Sequence, residues 1–248
     1  MTDIIHKYQN MVCSIELTGK CYLHYSEKAG FHVKSAKEIP IAGETIFENF
    51  PFSFSLLFQF WGEKCCWCLN RSTQHMMQCS RCKIASYCGR KCQKQDWSNH
   101  KHECTNLIRY ASIYTAAQID DILLLHRVYK GLTKAGACCE FDQGGTLRCG
   151  MTHMTSLSRP KHMTLNEESL KVVDEAAREL EANSTDIYNK LVQFRANNFG
   201  IMDPLLQCIG SGVYPAAALL NHSCIPNCVL TYRGVTSLSN KGPLLQVR

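Results

Sequence analysis

The forty residues from Cys65 to Cys104, CCWCLNRSTQHMMQCSRCKIASYCGRKCQKQDWSNHKHEC, decide how this chain is read. Metal-binding side chains recur through them as Cys65-x2-Cys68, then Cys79-x2-Cys82, then Cys88-x3-Cys92, then His100-x3-Cys104. Seven cysteines and one histidine are enough for two closed tetrahedral sites. Two residues between thiolates let the backbone turn tightly and bring both sulfurs to one ion. Three residues between His100 and Cys104 put both ligands on one helix face, a turn apart. Cys66 competes with Cys65, but Cys66-x-Cys68 offers a poor bite for a single ion. His102 competes with His100, but on a helix His102 and Cys104 diverge. Cys66 and His102 are therefore read as non-ligands.

Outside this segment the composition narrows the choices. The chain has 248 residues, 45% of them hydrophobic and 19% charged, which suits one ordinary core with a small satellite module. Its strongest apolar stretch, Phe50–Phe60, is broken by Pro51, Ser53, Ser55 and Gln59, well short of the roughly 18 apolar residues of a membrane span. The N-terminus, MTDIIHKYQN, lacks the basic start and apolar run of an export signal, so an intracellular, soluble protein is expected. Sixteen cysteines in such a compartment point to metal rather than to a disulfide framework. Trp61–Cys104 holds eight lysines and arginines against three acids, most of the net charge of +6. Seven thiolates and two divalent ions bring that segment to about +2, so a mildly basic solvated face is favoured over nucleic-acid binding.

Organisation follows from the pattern. Residues 10–50 read as strands and turns, with β-prone Cys21–Tyr25 and Gly30–Val33 and a turn at 39–43. Residues 105–132 read as helix, with Ile122, Leu125, Tyr129 and Leu132 on one face. Ala135–Pro160 reads as a surface loop. The next helix is expected to start at a Thr164-x-x-Glu167 capping box and to bury Leu170, Val173, Ala177 and Leu180. The last fifty residues return to strand and turn. Strands, metal module, helices, strands: that order predicts an α+β protein whose β-domain is split by an insertion.

A second motif is Asn221-His222-Ser223-Cys224-Ile225-Pro226-Asn227-Cys228, preceded by Asn197-x-Phe199 and Gly212-Val213-Tyr214-Pro215. Together with Tyr87-Cys88, Lys91-Cys92-Gln93, Asp96-Trp97, His100-Lys101 and Cys104, which closely resemble a MYND zinc finger, it makes the chain similar to SET-and-MYND (SMYD-type) protein-lysine methyltransferases. The resemblance implies a split SET β-fold: 1–50 its first part, 65–104 the MYND finger, 105–195 a helical insert, 196–248 the C-terminal SET core. It implies interleaved zinc sites, Cys65, Cys68, Cys88 and Cys92 on one ion and Cys79, Cys82, His100 and Cys104 on the other. Neither ion then has room for a reacting water, so both are structural and their binding energy is folding energy.

The resemblance further implies S-adenosylmethionine as cofactor, contacted by Asn221 through its amide and by His222 near the adenine, with Asn197 in the same pocket. The family's Gly-x-Gly turn matches Gly30-Phe31-His32, where His32 replaces the second glycine, so Gly30 is the expected backbone contact. The family's catalytic tyrosine and cysteine-rich tail lie beyond the motif, and Tyr232 is too close to it to serve. The expectation is thus an incomplete chain, inactive by itself, with its catalytic tyrosine beyond Arg248, Cys224 an orphan thiol, and two zinc ions rather than three. Its partners would be a lysine in a histone or non-histone protein and a proline-rich peptide at the finger. Trp97 is read as packing beneath the finger. A non-catalytic MYND adaptor is the alternative. Little or no nucleic-acid binding, no membrane, a monomer, and a cytoplasmic or nuclear location complete the expectation.

Overall fold

The computed structural model describes residues 20–26, 30–71, 75–134, 140–141, 147–148, 160, 162–233 and 242–248. The strands expected before residue 20 lie outside the described residues. Six strands come first: Cys21–Ser26 (β1), Gly30–Ser35 (β2), Phe47–Asn49 (β3), Ser53–Leu56 (β4), Met77–Gln78 (β5) and Ser86–Tyr87 (β6). Helices Arg90–Glu103 (α1), Leu107–Ile113 (α2) and Ala116–Lys134 (α3) follow, then Glu140–Phe141 (β7) and Leu147–Arg148 (β8). Helices Glu167–Leu180 (α4) and Ser184–Asn197 (α5) lead to Asn198–Met202 (β9), Cys208–Val213 (β10), Leu230–Arg233 (β11) and Leu244–Val247 (β12).

The two ends of the chain share sheets. β3 pairs antiparallel with β12, Phe47 opposite Val247 and Asn49 opposite Leu245. β4 pairs antiparallel with β10, Ser53 opposite Val213 and Leu56 opposite Gly210. Strands from before the finger are thus locked by hydrogen bonds to strands far later in the chain, β3 beside β12 in one sheet and β4 beside β10 in another. This is the split β-domain that the order of the elements predicts, and the protein is α+β.

Helix α3 is the core of the insertion. Every side chain from Ile122 to Val128 is buried, so the helix is enclosed all round rather than amphipathic. It packs on β4, α4 and α5. Its start is set by a reciprocal cap: Thr115 N donates to Gln118 Oε1 at 2.9 Å and Gln118 N to Thr115 Oγ1 at 3.4 Å. Ile122 and Leu125 are buried and Tyr129 is half-buried, as the periodicity requires; the side chain of Leu132 lies outside the description.

Three local expectations are corrected. Helix α4 begins at Glu167 and its cap is Asn166, whose side chain accepts from Ser169 N at 3.0 Å. Asparagine is as good a cap as threonine, and it stands next to the first helical residue. The buried residues are Ser169, Val172, Val173, Glu175, Ala176 and Ala177, which leaves Leu170 on the outside at 41% exposure. Within the stretch expected as a loop, most of which lies outside the described residues, β7 pairs antiparallel with β8, Phe141 opposite Leu147, and β8 extends the sheet from β3.

Candidate functional site

Two ligand sets assemble in the finger. Cys65, Cys68, Cys88 and Cys92 form one and Cys79, Cys82, His100 and Cys104 the other, the ligand atoms of each lying within 4.8 Å of one another. Local geometry brings them in. After each Cys-x2-Cys turn the next residue adopts a left-handed conformation, Leu69 at φ 58° and Lys83 at φ 58°. Leu69 N donates to Cys65 O and Lys83 N to Cys79 O, both at 2.9 Å, closing each turn around its sulfurs. The β5–β6 pair then places Cys79 and Cys88 at its ends, and α1 carries Cys92, His100 and, at its cap, Cys104.

The distances fit zinc. Cys68 and Cys88 sulfurs are 3.7 Å apart, Cys79 and Cys104 sulfurs 3.8 Å, and Cys82 Sγ lies 3.7 Å from His100 Nε2. A tetrahedron with zinc–sulfur bonds of about 2.3 Å has edges of about 3.8 Å. Burial holds the His100 imidazole below its ordinary pKa, keeping the neutral form a metal needs. A hydrogen bond from Cys68 pulls the Cys65 thiol down to about 5, toward the thiolate form that a metal takes. Cys66 stands apart: its sulfur accepts from Ser86 N at 3.4 Å, and burial pushes its thiol up. His102 is exposed on α1.

Trp97 is not beneath the finger. It is 47% exposed, its ring 6.1 Å from that of His100. The interior aromatics are Tyr87, fully buried, and Trp67, which meets Phe54 of β4 at 5.4 Å. They come from loop and strand, where sequence periodicity carries no facing information.

The sequence reading also missed the group that ties the finger down. Arg127 on α3 donates from Nε and Nη2 to the two carboxylate oxygens of Glu103, at 2.7 and 2.9 Å, and from Nη1 to Phe54 O at 2.9 Å. Asp96 Oδ1 lies 3.6 Å from Arg127 Nη2, and Asp96 Oδ2 accepts from Tyr87 OH at 2.9 Å. All four side chains are buried. Burial pushes the Asp96 carboxyl up; it acts on Glu103 too, but there the guanidinium prevails and the carboxyl stays below its usual range. The available signal was the spacing of Asp96 and Glu103, two turns apart on one face of an otherwise basic helix.

The family model for the MYND finger matches residues 65–104. Histone-lysine N-methyltransferase SMYD3 of Homo sapiens is 30% identical over 197 residues, which are 77% of this chain and 45% of that protein. The chain is thus similar to SET-and-MYND proteins in its finger and in the stretches on either side of it. Another SET-and-MYND protein, N-lysine methyltransferase SMYD2 of Sus scrofa, is 28% identical over 200 residues, 77% of this chain and 44% of its own length. SMYD2-A of Danio rerio is 27% identical over 209 residues, 84% and 47%. The chain therefore spans about half the length of the curated SET-and-MYND relatives it matches.

The four residues expected at the cofactor are distributed as follows. Gly30 opens β2, opposite Ser26 of β1. The same strand lies against the 3-10 turn Ala217–Leu219, which leads directly into Asn221 and His222. Asn221 and His222 are exposed, with His222 Nε2 3.5 Å from Cys224 Sγ. Asn49 of β3 steadies the turn, its Oδ1 accepting from Ala217 N at 3.4 Å. Asn197, at the end of α5, is half-buried and donates from Nδ2 to Gln193 O at 2.7 Å. His32, in place of the family's second glycine, is buried.

Proposed function

We propose that this chain forms the cofactor-holding part of an S-adenosylmethionine-dependent protein-lysine methyltransferase. The observation that carries this reading is the meeting of two stretches far apart in sequence. Strand β2, with Gly30, lies against the turn that delivers Asn221 and His222. The printed names of the SET-and-MYND relatives, histone-lysine and N-lysine methyltransferases, support it. We assign 1–50 and 196–248 to the SET fold and 105–195 to its helical insert.

The residues present suit such a cofactor. An exposed amide and an exposed imidazole side by side, next to a strand that opens with a residue lacking Cβ, match a ligand with a nucleoside and an amino-acid end. In this reading the Asn221 amide and the His222 ring hold it, Asn197 lines the same pocket, and Gly30 lets the backbone approach. When bound, S-adenosylmethionine supplies an electrophilic methyl group. The chain's own task is to exclude water and fix the geometry so that a lysine meets that methyl in its neutral form. Burial favours neutral lysine, and orientation is worth about 7–11 kcal/mol at best. Two zinc ions hold the finger and take no part in the chemistry.

Titration calorimetry with S-adenosylhomocysteine tests this. Saturable binding in the micromolar range is expected, lost in Asn221→Ala and His222→Ala. No heat at high micromolar ligand overturns it.

A second reading has its own observation. Trp97, exposed beside a zinc ligand, offers the aromatic surface on which a proline-rich peptide can dock, so the chain acts as a MYND adaptor as well or instead.

A further inference from the structure

Helix α1 sorts its charges by sign. Its two acids, Asp96 and Glu103, are buried against Arg127 and Tyr87. Its four lysines and arginines, Arg90, Lys91, Lys94 and Lys101, are all exposed, as is Trp97. At about 100° per residue, Arg90, Lys94, Trp97 and Lys101 fall within roughly 60° of one another around the axis. They form one stripe about 16 Å long, with the indole among the cations. Among the described residues no ion pair is formed by Arg90, Lys94 or Lys101.

This arrangement works against the helix. The first turn has no acid and Gly89 gives no side-chain cap, so Arg90 and Lys91 face the positive end of the dipole. The tetrathiolate set, net negative with its ion, includes Cys88 and Cys92 at that end and offsets Arg90 and Lys91. It does not account for Lys94, one turn further on; Lys101, three turns on, lies in the last turn, where the dipole favours a cation. Three like charges on one solvated stripe with an exposed tryptophan among them suit the recognition of an anionic chain.

We infer that the outer face of α1 docks an acidic peptide segment, its carboxylates on Arg90, Lys94 and Lys101 and an apolar or proline residue on Trp97. A segment of about five extended residues spans the stripe. Protein is favoured over nucleic acid because the stripe has a single aromatic platform, whereas single strands are held by successive stacked bases. The inference rests on the docking reading of Trp97 and is independent of methyl transfer. It adds the sign and composition of the partner.

The test uses the full chain and a short labelled peptide of alternating glutamate and proline, followed by fluorescence anisotropy. Its twin carries glutamine for every glutamate, and a labelled oligothymidylate is the third probe. The acidic peptide is expected to bind at least about tenfold more tightly than its twin, and more weakly as salt rises. The double variant Lys94→Glu, Lys101→Glu and the single variant Trp97→Ala should each lose about tenfold or more, with circular dichroism and zinc content unchanged. Equal binding of the two peptides overturns the charge assignment while leaving the docking reading of Trp97 intact. Binding of neither peptide overturns both. Oligothymidylate bound more tightly than the acidic peptide, or a Trp97→Ala variant that binds like the parent, also overturns the proposal.

Discussion

Arg127 reaches across from α3 to clasp Glu103, the last residue of α1, through two parallel hydrogen bonds that are closed to water. Its third arm holds Phe54 O of β4, so one guanidinium joins the finger, the helical insertion and the β-domain. Deleting that cation leaves two buried carboxylates, Glu103 and Asp96, facing each other. Arg127→Met is therefore expected to destabilise the protein by about 3–5 kcal/mol. Urea unfolding measures it. Replacing Arg127, Glu103 and Asp96 together by apolar residues of similar size should recover much of the loss, because no charge is then stranded.

Zinc removal should propagate along the same contact. Glu103 precedes the ligand Cys104 directly, and Asp96 sits a turn before His100. Elemental analysis is expected to find two zinc ions per chain, one for each set. A strong chelator should unfold the finger, whose zinc is worth on the order of 10 kcal/mol. It should also raise amide hydrogen exchange in α3 around Arg127, well outside the finger. Exchange that rises only between residues 65 and 104 would show the finger to be an independent module.

Much of this was legible in sequence for a physical reason. Zinc ligands are set by local turns, so the two Cys-x2-Cys spacings with Cys88-x3-Cys92 and His100-x3-Cys104 point to the eight side chains that the structure gathers, and away from Cys66 and His102. Element order gives the split β-domain. Facing was not legible where distant partners decide it. Trp97 turns outward because Tyr87 and Trp67 already occupy the interior, and Leu170 is outside because α4 packs on α3 and α5 through Val172, Val173 and Ala176. Arg127 looks like a surface residue in sequence. Only the return of α3 beneath α1 gives it two carboxylates.

His126, beside Arg127, is a buried imidazole on α3 whose ring nitrogens find no hydrogen-bond partner among the described residues. Glu103 and His102 from α1, Lys130 from α3 and Glu175 from α4 set its field, but burial dominates and pulls its pKa down to about 4. The unfolded chain takes up this proton near 6.5, the folded one only near 4. Stability from this group is full above 6.5, falls as pH drops through that window, and is lowest below 4, a difference on the order of 3 kcal/mol. Asp120, raised by burial to about 7, acts in the opposite direction, since its folded form accepts a proton earlier than the unfolded chain. The clean readout is therefore the difference between His126→Leu and the parent. Their stability gap should shift in favour of the variant by about 2–3 kcal/mol between pH 7.5 and 4.5. A gap that stays constant over that range would mean that His126 is solvated.

Gly242 leads into the last strand under a constraint that no other residue type meets. Its φ is +92°, and a Cβ there would stand 2.5 Å from Cε1 and 2.9 Å from Cδ1 of Phe54, and 3.0 Å from Cγ of Pro51. Phe54 cannot retreat, because its ring is buried and lies 5.4 Å from that of Trp67 in the finger. Gly242→Ala thus combines a left-handed backbone penalty of about 1–2 kcal/mol with overpacking of about 1–3 kcal/mol. A loss of about 2–5 kcal/mol is expected, read from thermal unfolding. Gly43 separates the two contributions: its φ is +81° with nothing within 4 Å of a built Cβ. Gly43→Ala should therefore cost only the backbone part, about 1–2 kcal/mol. If the two variants lose the same stability, Phe54 is able to move and the packing between the β-domain and the finger is looser than these distances require.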